Sequence, residues 1–288
     1  MKIAVASGKG GTGKTTVATN LALIARDFGN ASNKILFLDC DVEEPNAALF
    51  LKPALHDREE VGIMVPEVDE EICTYCRRCA EVCVWHAIAV LPKNILLFPQ
   101  LCHGCGSCTH ICPVEAISER LNVTGIIESG TAGGISFAHG LLNIGEAMAP
   151  PVIRELKNRH PSPVGGVTII DASPGTSCPV VESIKDSDFV LLVTEPTPFG
   201  LHDLKLAVQL ARDELHLPVG IVINRDGIGD DSVMRFSSEE RIRIMGRIPF
   251  DRRIAEVISD GRLVVEALPE YRSLFEEIYS GIRREAKR

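Results

Sequence analysis

Short apolar, β-branched runs recur along the chain with helical patterns between them: Lys2 to Ala6, Lys34 to Leu38, Val167 to Ile170, Phe189 to Val193, Val219 to Ile223 and Ile242 to Ile248. Strands covered on both faces need no polar alternation, and these runs show none. Their spacing predicts an α/β fold: a mostly parallel, doubly wound sheet in which right-handed crossovers lay helices on both sides. From Tyr271 through Leu274, Phe275, Ile278, Tyr279 and Ile282, apolar residues recur at helical spacing, which predicts an amphipathic terminal helix docked on the sheet. A segment from 61 to 122 breaks the rhythm. It reads as a small inserted domain with its ends close together, leaving 1–60 and 123–288 as the parent domain. The glycine-rich stretch from Gly130 to Gly145 reads as a loop returning to that parent.

The first run leads directly into Gly8-Lys9-Gly10-Gly11-Thr12-Gly13-Lys14-Thr15, and a helical pattern from Thr16 to Arg26 follows. This is G-x-x-x-x-G-K-T in its strand–loop–helix setting, the phosphate-binding loop of a P-loop NTPase. The glycines let backbone N–H groups turn toward phosphate oxygens, and the helix N-terminus adds its positive dipole end. Lys14 is expected on the β- and γ-phosphates of ATP and Thr15 on Mg²⁺, with Thr16 beginning the helix. Two further runs end in carboxylates, at Asp39-Cys40-Asp41 and at Asp171-Ala172-Ser173-Pro174-Gly175. Ligands gather where parallel strands end, so Asp171, with Asp39 beside it, is expected at the Mg²⁺. A lone strand-end aspartate is more often a cap; three such features on one sheet edge favour the site.

Eight of the ten cysteines fall in two copies of one spacing, Cys73-x2-Cys76-x2-Cys79-x3-Cys83 and Cys102-x2-Cys105-x2-Cys108-x3-Cys112. The copies are offset by 29 positions, and Ala87/Ala116 and Ile88/Ile117 coincide at the same offset, the mark of an internal duplication. Zinc sites place two ligand pairs around a longer finger loop, and disulfide frameworks belong to small secreted domains, so both fit poorly. The runs resemble those of two-cluster ferredoxins, where each tight loop gives three thiolates and the fourth crosses over. That resemblance implies a small α+β ferredoxin-like domain with two [4Fe-4S] clusters. One would sit on Cys73, Cys76, Cys79 and Cys112, the other on Cys102, Cys105, Cys108 and Cys83. Val84 stands where the ferredoxin pattern has the proline that Pro113 supplies in the second copy. Trp85 is expected to pack over a cluster. His86, His103 and His110 lie among the cysteines, where surface placement is the commoner role.

Composition narrows the function classes. The chain has 288 residues, 45% of them hydrophobic, enough for one large core and a small appendage. A formal charge of -9 gives no electrostatic footprint for nucleic acid or an anionic membrane, and no apolar run is long enough to span a bilayer. Thiolate-held clusters need reducing surroundings, so a cytoplasmic location is expected.

Lys9, preceding Gly10-Gly11-Thr12-Gly13-Lys14-Thr15, gives the chain its resemblance to the deviant Walker A ATPases, the superfamily of MinD, Mrp-type ATPases and the nitrogenase iron protein. The subgroup with an inserted two-[4Fe-4S] ferredoxin-type domain is the most similar. The resemblance implies an ATPase acting as a homodimer, or a heterodimer with a related ATPase, in which Lys9 reaches the partner's nucleotide. It also implies that Asp41 orients the attacking water, that Asn224 reads adenine, and that Pro249 and Asp251 frame base and ribose. Mrp-type carriers hold a bridging cluster on a late Cys-x-x-Cys pair, whereas no cysteine follows Cys178 here. The implied roles are electron transfer or metallocofactor assembly with a redox or assembly partner, or else positioning in the manner of MinD with structural or redox-sensing clusters.

Overall fold

The computed structural model describes residues 1–28 and 34–286. Eleven strands follow one another as β1 Lys2–Ala6, β2 Ile35–Asp39, β3 Ala54–Val68, β4 Ile88–Leu91, β5 Asn94–Leu97, β6 Ile117–Ala132, β7 Ile135–Leu142, β8 Val167–Asp171, β9 Phe189–Thr194, β10 Val219–Asp226 and β11 Arg243–Pro249. Nine of them make one sheet in the order β11-β10-β9-β1-β8-β2-β7-β6-β3, and β4 with β5 forms a separate hairpin. From β11 to β7 all neighbours are parallel. The six strands expected from apolar runs are all present: the first has the expected bounds, and the others have at least one end shifted, by one to three residues.

Alternate residues of the central strand face opposite cores, as period-two side chains must. Ile3 and Val5 pack with the helix Lys14–Asp27, whereas Ala4 and Ala6 pack with the helices Pro150–Arg159, Cys178–Ile184 and Pro198–Val208. Both faces are therefore covered, which explains the absence of polar alternation. The terminal helix Arg272–Glu285 buries Phe275, Ile278, Tyr279 and Ile282 beside Lys14–Asp27, as its spacing predicts. Among the described residues, no helix is long and apolar enough to cross a membrane.

The stretch from Gly130 to Gly145 departs from the expected loop: it holds the end of β6 and all of β7, and β7 pairs in parallel with β2 inside the sheet. Two of its glycines answer crowding, Gly130 from a neighbouring strand and Gly140 from side chains packed on the sheet. A Cβ on Gly130 would lie 2.1 Å from the Ala54 carbonyl oxygen, and one on Gly140 would lie 2.8 Å from Val42 Cγ1. The turn between the strands uses Gly133 and Gly134 at φ 52° and 86°.

The boundaries expected at 61 and 122 fall inside β3 and β6. These strands pair antiparallel from Ala54 opposite Thr131 to Val68 opposite Ile117, while β7 supports β6 only from Gly125 onward. Residues 62–68 and 117–124 thus project past the sheet as a two-stranded arm. At its root the register shifts: Val61 faces Gly125 but Gly62 faces Val123, leaving Thr124 unpaired in the ladder, a β-bulge. Asn143 pins this point, donating its backbone N–H to Thr124 O at 2.8 Å and its amide to Val123 O at 3.0 Å. The arm ends in the cysteine segment, whose two ends meet where Asp69 N donates to Ala116 O at 2.8 Å.

Candidate functional site

The phosphate loop joins β1 to the helix Lys14–Asp27, with Gly11 at φ 79° and Gly13 at φ 91°, a region that costs glycine nothing. Gly8 has a different reason to lack a side chain: a Cβ there would sit 2.2 Å from the Asp203 carbonyl oxygen. Lys14 Nζ lies 2.5 Å from Asp171 Oδ1 and 3.6 Å from Asp41 Oδ2. Burial works against the Lys14 charge, but Asp171, Asp41 and Asp39 outweigh it and hold the ammonium above the ordinary lysine range. Asp39 stands level with Asp171 across the β2–β8 pair. Its two oxygens accept the backbone N–H groups of Asp41 and Ala47 at 3.1 and 3.0 Å. Burial, with Asp171 alongside, nonetheless pushes Asp39 upward. Burial also pushes Asp41 up to about 6, against the pull of Lys14.

Two buried oxygens at this spot, Asp171 Oδ2 and Thr12 Oγ1, have no hydrogen-bond partner. Buried polar atoms are ordinarily satisfied, and an unpaired carboxylate oxygen beside a phosphate loop suits a hard cation. The donor set of Asp39, Asp171 and the Thr15 hydroxyl therefore fits Mg²⁺.

A cleft of ≈ 530 Å³ opens over the loop, within the size range of a small-ligand pocket. Gly10, Gly11, Gly13, Lys14, Thr15, Thr16 and Asp41 line it, with Asn224 beside the loop, and Pro249 and Asp251 line it as well. Thr12 is buried beneath the loop, Asp39 and Asp171 lie beneath the cleft floor, and Gly8 packs on the helix Pro198–Val208. Asn224 uses its amide to tie the loop down, donating to Thr12 O at 2.7 Å. Asp251 sits at the mouth, but its carboxylate is already engaged. It accepts from Arg253 N at 2.8 Å and from the Tyr271 hydroxyl at 2.6 Å, and Arg253 holds it far below the usual range. Lys9 turns away from the cleft to Glu195, at 3.5 Å. Sequence reasoning missed the apolar wall of Phe250, Ile254 and Ile258 and the ion pair of Arg225 with Glu195. An aromatic residue between Pro249 and Asp251 at a strand end was the available signal for the wall.

The cysteine segment has two more cavities. Cys73, Cys76, Cys79 and Cys112 surround one, and Cys83, Cys102, Cys105 and Cys108 the other. No two cysteines are joined. Among the described residues, no three His, Cys, Asp or Glu side chains converge as a ready site for a single metal ion. Backbone amides point at the sulfurs: Tyr75 N and Ala116 N in the first cavity, Gly104 N and Ala87 N in the second. Trp85 stacks on His103 with centroids 3.6 Å apart and lines the second cavity, yet stays 48% exposed. Cys40 is buried and Cys178 exposed, one beside each carboxylate segment.

A glycine loop between strand and helix, a lysine held by carboxylates of neighbouring strands and a cleft above them define a P-loop nucleotide-binding protein. A family model, the CobQ/CobB/MinD/ParA nucleotide binding domain, matches residues 3–264, and the chain belongs to that family. It is 32% identical over 283 residues to an uncharacterised protein of Methanocaldococcus jannaschii, covering 98% of this chain and 97% of that one. Among solved structures it is similar to the cell division ATPase MinD of Pyrococcus furiosus, with TM-score 0.57 and 21% identity over 98% of each chain. It is also similar to the septum site-determining protein MinD of Pyrococcus horikoshii complexed with Mg-ADP, with TM-score 0.57, 20% identity and 98% and 95% of the chains covered. At these identities the likeness is one of fold.

Proposed function

We propose that this protein is a Mg²⁺-dependent ATPase that works as a nucleotide-switched dimer, and that its arm carries two [4Fe-4S] clusters whose environment or partner contacts change with the nucleotide. The observation that carries the reading is the continuity of one sheet from the phosphate loop, at the end of β1, to two separate cysteine-lined cavities at the end of the β3–β6 arm. Each cavity has the quartet that a crossed, two-cluster arrangement requires, and a cubane holds its four thiolates around a volume rather than at one point. The missing single-ion convergence is therefore no obstacle to this fit.

In the nucleotide site, Lys14 would exchange its carboxylate partners for the β- and γ-phosphates, and the loop amides would take the remaining oxygens. Thr15, Asp39 and Asp171 would hold Mg²⁺, which supplies charge neutralisation across the phosphates. Asp41 stands at the phosphate end and would orient the attacking water, with Lys9 of a second subunit adding positive charge. The apolar wall at Phe250 and Ile254 suits a base. The clusters would supply one-electron redox capacity, serving electron delivery or metallocofactor assembly with a redox or assembly partner. The partner subunit would be a second copy or a related ATPase.

A second reading is favoured by the comparisons: the similar solved chains are cell division and septum-site proteins. In it the chain is a positioning ATPase and the clusters are structural or redox sensors. Anaerobic purification with iron and labile sulfide counted per chain, followed by cluster redox titration with ADP and with a non-hydrolysable ATP analogue, tests the coupling. Nucleotide-independent titration and oligomeric state would sink it. ATP-dependent pelleting with lipid vesicles would favour positioning.

A further inference from the structure

The duplication provides an internal control on the two cysteine cavities, because each position in one copy has a counterpart 29 residues away in the other. The backbone is the same in both. Tyr75 N and Gly104 N, a duplicated pair, each donate to a sulfur at 3.4 Å, and Ala116 N and Ala87 N do so at 3.2 and 3.3 Å. Amide donors therefore do not distinguish the sites.

The charged side chains do. Arg77 and Arg78 line the cavity of Cys73, Cys76, Cys79 and Cys112, and their counterparts at the other cavity are Gly106 and Ser107. Conversely, Glu119 lines the cavity of Cys83, Cys102, Cys105 and Cys108, where the first cavity has Val90. Among the described residues, no other Asp, Glu, Lys or Arg lines either cavity. Among the described residues, none of the three charged groups has an ion-pair partner. Arg77 also occupies a conformation in which glycine is the inexpensive choice: φ 68° and ψ -3°, against 69° and -2° for Gly106. A β-carbon at positive φ is a strained arrangement that glycine would relieve.

We propose that Arg77 and Arg78 hold the site of Cys73, Cys76, Cys79 and Cys112 at the higher reduction potential, and that Glu119 holds the other at the lower, so the duplicated sites form an ordered pair. Reduction adds a negative charge to a cluster. Adjacent guanidinium groups favour that state and an adjacent carboxylate opposes it, and net charge and hydrogen bonds to sulfur are recognised determinants of cluster potential. The Ser107 hydroxyl, 3.4 Å from Cys105 Sγ, works the other way at the second site. A hydroxyl serves the first site as well, Thr74 at Cys76, and such dipoles are the weaker influence beside two cations at one site and an anion at the other. All three charges are exposed and screened by salt, yet each belongs to a side chain that lines its cavity together with the sulfurs.

The inference rests on the cluster reading, and the test separates the two. The anaerobic full-length chain is titrated with dithionite under spectroscopic (EPR) detection, after counting iron and sulfide. Two separate midpoints are expected. Arg77→Gln/Arg78→Gln should lower the upper midpoint alone, and Glu119→Gln should raise the lower one alone, so each narrows the gap. Cys112→Ser should remove the upper wave and Cys83→Ser the lower, which assigns them independently. Coincident midpoints in a fully loaded chain, or arginine variants that move the lower wave, would overturn the ordering and leave the cluster reading standing. A chain that takes up no iron would overturn both.

Discussion

Lys9 Nζ lies 3.5 Å from Glu195 Oε2 within one chain. Glu195 is buried just past the end of β9 and also pairs with Arg225, which lines the cleft. A lysine expected to serve a neighbouring subunit is thus held at home by a carboxylate connected to the nucleotide side. Glu195→Gln keeps the shape and removes the charge. That variant is expected to dimerise more readily with a non-hydrolysable ATP analogue, by up to about fivefold if the pair is worth roughly 1 kcal/mol. Lys9→Ala should abolish the nucleotide dependence. Sedimentation velocity reads both, and unchanged dimerisation of the glutamine variant would mean that the pair restrains nothing.

Lys14 gives the most direct test of the cleft. Its removal deletes charge-assisted bonds to phosphate worth about 3 kcal/mol, so Lys14→Ala should weaken nucleotide binding by roughly a hundredfold or more in calorimetry. The cysteine segment lies at the far end of the arm, so its iron content should be unaffected.

The role proposed for Asp41 predicts an acid limb in hydrolysis. Its carboxylate is ionised above about 6. If it orients water as the anion, kcat/KM, which reports the free enzyme, should fall as the pH drops through that value, and Asp41→Asn should be slow with that limb missing. The stability sign runs opposite. The folded-state value lies above the reference 3.8, so the ionised carboxylate is a cost at neutral pH that shrinks as pH falls through about 6. Asp41→Asn should therefore melt no lower than the parent at pH 7.5.

Crossed ligation has its own signature. Cys112 shares a cavity with Cys73, Cys76 and Cys79 rather than with its sequence neighbours. Cys112→Ser should remove about half the iron and leave one complete cluster signal, matching loss at the first run rather than the second.

Gly130 tests the corrected reading of the glycine-rich stretch. A methyl group there meets the Ala54 carbonyl oxygen, and backbone inside a sheet yields little. Gly130→Ala should destabilise the chain by about 1–3 kcal/mol, read from the urea midpoint.

The core strands were legible because burial on both faces leaves uninterrupted apolar runs, and the phosphate loop because its chemistry fixes both residue types and spacing. The strands β3, β6 and β7 were not. Their glycines, set by close strand approach and by side chains packed on the sheet, look like a loop in sequence, and the arm's exposed charged residues carry no parallel-sheet signature. Asp251 was found at the cleft but with its carboxylate committed: it caps the helix Arg252–Ser259 by accepting from Arg253 N, a common role for an aspartate before a helix, and Tyr271 joins it from a remote part of the chain. Glu195 was invisible for a related reason: its meaning lies in Lys9 and Arg225, remote in sequence and brought together only by the order of strands.

The projecting ribbon gives the protein an adjustable reach. The cysteine segment folds back along its overhang, with Gly104 against Ile63 and Met64, so the bulge at Gly62 and Thr124 is where its length can change with least disturbance to the thiols and to the cleft. Two extra residues in each strand would preserve the pleat and carry the thiols about 7 Å farther from the phosphates. Evolution or an engineer can therefore set the distance between the two chemistries in steps of one pleat, leaving the nucleotide machinery untouched.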